Sequence, residues 1–491
     1  MSIHSVKTNI FSGFKNVKYN AVKENYGLIK LVGSEIDADK ERMPISIVAL
    51  VDISGSMYPD YKIGYLRKSL IKMIENLKFE DQLCLITFST NISKPLELTQ
   101  MTSENKKKAI GIVSNFQATS STNISGALSE AYDELKKIEK AENRVVRTIL
   151  FTDGCPTSGN CNKNHLVEQS SKIPVGQLTT MGYGKPSDDA GTGMSGEIDV
   201  KLLQDMADAG KGNYHYMENP DACIRAFAFE LAGLLTTVAQ GVNVKITPKN
   251  HITDLVIMEH DADVKTEADS TIVSLPDIMS EEERYILFKY NTVVQKDAFK
   301  RDTNVADIEI SYRNMTGDSE TVKDKLVLKF VESGEDTALD KEVETQIGIY
   351  DAISSQKKAK VMADNGNYIG AQSIIGGAAS NLRDIGTLRS TAYSAEVFSM
   401  ADMVSDRKTY TTYSNTYDTQ SYNMSKGRGM SVNSTAFQKD MKAKFDSDID
   451  KPVIDKDFNG NPMIDVIKPI DDPVVDKVKD IIKKCKKVDR F

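Results

Sequence analysis

The stretch Ile45–Ser56, ISIVALVDISGS, decides how the first half of the chain is read. Ile45 to Val51 is an almost unbroken apolar run, the mark of a strand buried on both faces. Beyond it, Ile63, Leu66, Leu70, Met73, Ile74 and Leu77 recur at helical spacing. Asp52, Ser54, Gly55 and Ser56 therefore fall on a tight strand-to-helix turn, where the glycine relieves backbone crowding. Such a turn lies at the carboxyl end of a strand, where open α/β sheets bind ligands. One carboxylate and two short hydroxyls crowded into one loop suit a hard cation such as Mg²⁺.

Two later segments supply further oxygens. Ser120–Ile124, SSTNI, is a polar loop opening a helix expected from Ile124 to Ile138. Thr148–Gly154, TILFTDG, is an apolar strand ending in a carboxylate and a glycine. In these three segments the chain resembles the von Willebrand factor A (VWA) family, whose metal ion-dependent adhesion site is written D-x-S-x-S, then T, then D. The resemblance implies a metal shell of Asp52, Ser54, Ser56, Thr122 and Asp153. Ser121, Asn123 and Gly154 would shape the partner-binding rim. It implies Mg²⁺, with Mn²⁺ or Ca²⁺ as alternatives, and a sixth position left for a carboxylate of a partner protein. The physics agrees. Two carboxylates roughly neutralise a divalent ion, and neutral hydroxyls complete the shell without repelling an acidic ligand. The competing reading is a Ser/Gly-rich turn with an N-cap serine and unrelated acidic residues. Three segments, each in strand-end context, outweigh it.

The chain has 491 residues, a net charge of −8, 40% hydrophobic and 27% charged residues. That composition fits roughly two to four globular domains. No sustained basic patch speaks for nucleic acid. Lys483-Lys484-Cys485-Lys486-Lys487 reads as a solvated helix end. No apolar run reaches membrane-spanning length, Met1 to Asn9 carries no apolar signal core, and five cysteines argue against a secreted disulfide scaffold. The expectation is an intracellular, cytoplasmic protein without membrane insertion.

The expected fold class is α/β, a doubly wound, mostly parallel, Rossmann-like sheet, with an antiparallel β-sandwich and a C-terminal helical hairpin. Residues 43–238 read as the VWA unit, with strands at Ile45–Val51, Leu83–Phe88, Thr148–Thr152, Val175–Tyr183 and Asn213–Met217. Gly184 to Gly196 is a candidate rim loop. Residues 239–333 alternate like an antiparallel sandwich. Strands within residues 1–42, at Asn16–Val22 and Gly27–Val32, are expected to join that sandwich, so that the VWA unit is inserted into a β-domain. Residues 338–400 return to helical period around an Asn365-Gly366-Asn367 break. Residues 401–491 read as a polar tail with a short C-terminal helix from Val474, and Thr409 to Ser434 as loop or partly disordered. This order of parts is similar to plant-type VWA–RING ubiquitin ligases. The five cysteines and five histidines form no array of RING spacing, so ligase activity does not carry over.

Other constellations are weaker. Cys155, Cys161 and His165 lack a fourth ligand for zinc. Asp446, Asp448 and Asp450 begin like a Ca²⁺ loop, but Lys451 and Pro452 break the pattern. No G-x-S-x-G elbow or Walker A motif is present. His165 and His215 read as surface or loop residues, and Met57 as packing beneath the turn. The function expected is a non-enzymatic protein-binding scaffold that captures an acidic side chain through Mg²⁺. One alternative is a structural component of a larger particle or filament, a viral one included, with oligomerisation through the tail. Another is an accessory subunit of a ubiquitin ligase or AAA-type complex.

Overall fold

Three strands open the chain: β1 (Val6–Ser12), β2 (Asn16–Lys18) and β3 (Glu24–Gly33). The fourth, β4 (Ile45–Asp52), is buried at every residue. The computed structural model describes residues 5–19, 22–36, 42–58, 62–119, 121–153, 155–184, 198–217, 220–258, 263–293, 301–332, 338–427, 454–456 and 462–464. The expected rim loop beyond Gly184, the aspartates near 448, the lysines near 485 and the helix from Val474 lie outside these residues.

β4 is central in a six-stranded sheet with β5 (Gln82–Phe88), β6 (Ile92–Gln100), β7 (Val145–Thr152), β8 (Gln177–Tyr183) and β9 (Lys211–Met217). The order is β6-β5-β4-β7-β8-β9, and all pairs are parallel except β5 with β6. One face carries α1 (Lys62–Asn76), α2 (Ser103–Ser114) and α6 (Pro220–Leu235), packed on Ile45, Ile47, Ala49 and Val51. The other carries α3 (Ile124–Leu135), α4 (Lys163–Ser171) and α5 (Val200–Ala209), packed on Val48 and Leu50. Burial on both faces is why β4 reads as an apolar run rather than an alternation. The hairpin partner β6 carries no clear strand pattern in the sequence. Pro95 lies within it, the register shifts on both sides of Leu85, and its residues are mostly half-exposed, all of which suit an edge strand.

Thr236 alone separates α6 from β10 (Thr237–Pro248). The chain then adds β11 (Ile252–Ile257), β12 (Asp263–Thr266), β13 (Thr271–Leu275), β14 (Ile278–Met279), β15 (Glu283–Thr292), β16 (Asp302–Asn314) and β17 (Ser319–Val331). Two sheets result, β1-β3-β15-β11 and β12-β13-β10-β16-β17-β2, with β14 on β10. β3 pairs with β15 from Glu24↔Asn291 to Val32↔Glu283. Residues before and after the α/β sheet therefore share a single core, in which Ile29, Leu31, Ile286 and Phe288 meet Val244, Ile246, Ile308, Ile310 and Phe330. Leu28 and Leu287 point the other way, onto Val343.

Val343 belongs to α7 (Lys341–Asp364), which packs with α8 (Tyr368–Ile385), α9 (Leu388–Met403) and α10 (Arg407–Ser425). The stretch from Thr409, expected as loop, is thus helical through Ser425. Its buried stripe is Tyr410, Tyr417 and Met424, seven residues apart. Tyrosine buries a ring while its hydroxyl finds a partner, here Asp364 Oδ1 at 2.5 Å for Tyr410 and the Gln356 carbonyl at 2.7 Å for Tyr417. Among serines, threonines and asparagines this stripe does not look apolar. A short hairpin, β18 (Ile454–Lys456) with β19 (Pro462–Ile464), closes the described chain. No helix among the described residues is long and apolar enough to cross a membrane.

A buried polar network fastens α6 to the sheet. Glu230, 4% exposed, accepts hydrogen bonds from Thr179 Oγ1 (2.7 Å) and Asn213 Nδ2 (2.8 Å). His215 Nε2 lies 3.2 Å from its carboxylate, as does Arg147 Nε. His215 is thus a half-buried strand residue, not a loop one. Burial alone would raise the Glu230 carboxyl, but the His215 hydrogen bond and the Arg147 charge hold it well below the usual range. Its contribution is therefore full at neutral pH and fades as pH falls below the unfolded value of about 4.5. Glu230→Gln should cost about 3–5 kcal/mol at pH 7, because Arg147 loses the nearer and more deeply buried of its two carboxylate partners. Denaturant titrations at pH 7 and pH 4 check this, with a smaller gap between the two proteins expected at pH 4. Equal stabilities at pH 7 would contradict it.

Candidate metal centre

At the end of β4 the backbone turns sharply. Gly55–Met57 form one 3-10 turn, closed by the Met57 amide on the Ser54 carbonyl (3.1 Å), with Met57 wholly buried beneath it. Asp52 steers this turn: its Oδ1 accepts from the Ser54 amide at 2.8 Å, the local bond by which aspartates shape turns. Its Oδ2 accepts from Thr152 Oγ1 at 2.6 Å. β4 and β7 run in parallel register, with Val51 beside Phe151, so both strands end at one level.

The oxygens then form a chain. Ser54 Oγ lies 3.0 Å from Ser56 Oγ, and Ser56 Oγ donates to Asp153 Oδ1 at 2.6 Å. Asp52, Ser54, Ser56 and Asp153 are thus brought together. Asp52 and Asp153 are fully buried, and Ser54 is 1% exposed. On the other oxygen of Asp153 sits an ammonium, Lys62 Nζ, at 2.5 Å; it also donates to the Ser56 carbonyl at 3.2 Å.

The Thr122 loop runs alongside. The Thr119 amide donates to the Ile53 carbonyl (2.6 Å) and the Asn123 amide to the Ser89 carbonyl (3.0 Å). The Thr122 amide donates to Thr157 Oγ1 (2.9 Å), and the Thr122 carbonyl accepts from the amides of Thr157 and Ser158. These bonds tie the loop both to the β4 turn and to the segment after β7. Thr122 is 4% exposed, so it sits in a recess rather than on the open surface. Ser121 is half-buried, its amide near Thr90 Oγ1 at 3.4 Å. Asn123 caps α3, its Oδ1 accepting from the Gly126 amide at 2.9 Å. Gly154 lies outside the described residues.

The electrostatics of the recess are strained. Burial pushes the Asp52 carboxyl up to about 6, and the neighbouring Asp153 adds to the rise; hydrogen bonds from Thr152 and Ser54 oppose it. Two buried carboxylates among hydroxyls, with no nitrogen or sulfur ligand in the set, are the donors that a hard divalent cation takes. The residues present fit such an ion. No group of three or more His, Cys, Asp and Glu side chains among the described residues is disposed to hold a metal. Cys155 and Cys161 are exposed, and the His165 amide is engaged by the α4 cap residue Asn162.

Three contributors were not singled out in the sequence. Thr152 lies within the quoted TDG run, and a hydroxyl beside the carboxylate was the available signal. Lys62 stands at the start of α1, where the helix dipole disfavours a cation unless an acid pairs with it. Thr157 left no signal, because its role is to hold a backbone amide.

Residues 46–226 match the model of the von Willebrand factor type A domain. The Escherichia coli (strain K12) protein YfbK is 25% identical over 213 residues, covering 43% of this chain and 35% of that one. Inter-alpha-trypsin inhibitor heavy chain H4 of Bos taurus is 34% identical over 150 residues, covering 29% and 16%. The chain thus spans well under half the length of these relatives. Among solved structures, a von Willebrand factor type A protein from Catenulispora acidiphila superposes with a TM-score of 0.61 at 14% identity, covering 82% of this chain and 90% of that one. The ArnB paralog VWA2 from Sulfolobus acidocaldarius gives 0.53 at 14% identity, covering 84% and 98%. The likeness in fold therefore extends beyond the six-stranded sheet, and the turn after β4 belongs to a von Willebrand factor type A domain carried by this chain.

Proposed function

We propose that this chain is a binding module that captures a partner protein through a divalent cation, Mg²⁺ in the first place, held by Asp52, Ser54, Ser56, Thr122 and Asp153. VWA domains generally mediate protein–protein interaction and are often metal-dependent. The observation that carries the finer reading is the run of hydrogen bonds from Asp52 to the Ser54 amide, and from the Ser54 hydroxyl through that of Ser56 to Asp153, built from two crossovers at the strand ends with both carboxylates buried. When bound, the cation would offer an open coordination position to a carboxylate of the partner. Asp52 and Asp153 would offset its charge. The hydroxyls of Ser54, Ser56 and Thr122 would complete the donor set without adding negative charge, so that an incoming Asp or Glu is not repelled. Thr152 would fix the direction of Asp52, as outer partners of metal ligands do.

The surroundings support a docking role. The β-sandwich meets the opposite end of the sheet, where the Gln240 side chain donates to the Arg144 carbonyl and Arg313 to that of Glu142. Beside the turn opens a groove of about 570 Å³ whose apolar lining includes Ile53, Pro95, Ile112 and Phe116. It would accept an apolar neighbour of the captured acid.

Calorimetric titration with Mg²⁺ should show one site in the full chain, and Ser54→Ala combined with Ser56→Ala should abolish it without loss of the folded circular dichroism spectrum. Retained Mg²⁺ binding in that double variant would remove these residues from the site. Thr152→Val should weaken Mg²⁺ binding by about 10–100-fold, the usual effect of losing an outer hydrogen bond to a ligand. Partner capture should require Mg²⁺ and fail in EDTA. Equal capture in both would overturn the metal bridge.

A further inference from the structure

The Lys62 ammonium already occupies one face of the cluster. Nζ lies 2.5 Å from Asp153 Oδ2 and 3.2 Å from the Ser56 carbonyl oxygen. The Lys62 side chain is 15% exposed and that of Asp153 is fully buried. The ammonium therefore reaches a buried carboxylate from the edge of the recess. Asp153 Oδ1 is engaged by the Ser56 hydroxyl, so the carboxylate has both oxygens committed. A dication drawing on Asp153 would lie within a few ångströms of this ammonium. Like charges at that separation, in a site largely shielded from water, repel strongly.

We infer that Lys62 is a tethered counter-ion that competes with the divalent cation for Asp153, and that loading the site requires its ammonium to leave. The inference rests on the metal-site reading above. The lysine stem makes the exchange feasible: it is flexible, carries a compact and strongly hydrated charge, and lies close enough to the surface for that charge to reach water. It also gives the metal-free protein a reason to keep its fold, since Asp153 is never left buried without a cation. Lys62 thereby sets the threshold cation concentration for partner capture. Because it is the first residue of α1, its release couples loading of the site to the start of that helix.

The full chain and its Lys62→Met variant, which keeps an apolar stem and deletes the charge, should be titrated with MgCl₂ by calorimetry and melted with EDTA or with Mg²⁺. Expected is Mg²⁺ binding at least tenfold tighter in Lys62→Met, a lower melting temperature than the unsubstituted chain in EDTA, and a larger rise on adding Mg²⁺. Equal or weaker binding in the variant, beside measurable binding in the unsubstituted chain, would overturn the competition and leave the metal site standing. Absence of binding in both would overturn the metal site and this inference together. A second measurement needs no substitution. Reductive methylation of the unsubstituted chain, read by mass spectrometry on the peptide containing Lys62, should be several-fold faster with Mg²⁺ than with EDTA. An unchanged rate at Lys62 would refute its release.

Discussion

The side-by-side parallel pairing of β4 and β7 is the constraint on which the rest of the molecule depends. β4 is flanked by β5 on one side and β7 on the other, so the winding of the sheet reverses between β4 and β7. The helices that follow β4 and β7, α1 and α4, lie on opposite faces, and the loops leaving these two strands diverge, opening a crevice at the strand ends. Matched register puts Asp52 level with Thr152 and Asp153 just beyond. Two carboxylates so placed cannot be surrounded by apolar atoms without a large desolvation cost. The structure meets that cost with hydroxyls, one backbone amide and one ammonium, all from residues adjoining the same crevice.

This origin explains what could be read in the sequence. A strand covered on both faces must be apolar throughout, so Ile45–Val51 and the run ending at Thr152 stand out, and the oxygen-bearing residues just after them are picked out by position. Elements that meet their surroundings through polar atoms do not stand out. β6 is an edge strand interrupted by Pro95, and α10 buries tyrosines whose hydroxyls reach Asp364 and Gln356. The same holds within the site. Asp52 and Asp153 are legible as carboxylates in a motif, but the burial of Thr122 depends on backbone bonds to Thr157 and Ser158, which no side-chain pattern encodes. His215 shows the limit from another side. Its neighbours in sequence give no hint of Glu230, which arrives from α6 across the sheet.

Among the described residues, the remaining layers attach to the sheet away from the crevice. α6 passes into β10 through a single residue, and Arg147, bonded to Glu230, also lies 3.8 Å from Asp277 of the sandwich region. The sandwich is thereby fixed at the amino ends of the strands. α10 reaches the far edge of the sheet, where Tyr422 packs edge-on against Tyr214 and bonds Asp208, while Lys426 pairs with the same aspartate. Sandwich and bundle thus clasp the α/β unit at its base and side, with contacts distant from Asp52. Among the described residues, these contacts of sandwich and bundle lie at the base and side of the sheet rather than at the carboxyl ends of its strands.

Charge balance then links the tether to selectivity. With Lys62 in place, two carboxylates and one ammonium leave the cluster one negative charge in excess, and an acidic side chain approaching it is disfavoured. Exchange of the ammonium for a dication, on the proposed reading, brings the cluster to neutrality and opens a position that accepts an anion. A third carboxylate in the shell would hold the cation more firmly but restore the excess negative charge and repel the acid. Serine and threonine avoid this, because they donate oxygen without charge. On the proposed reading, the hydroxyl-rich composition of the turn and the presence of a lysine at the start of α1 are two parts of one requirement: an anionic ligand is admitted only after the counter-ion has been exchanged.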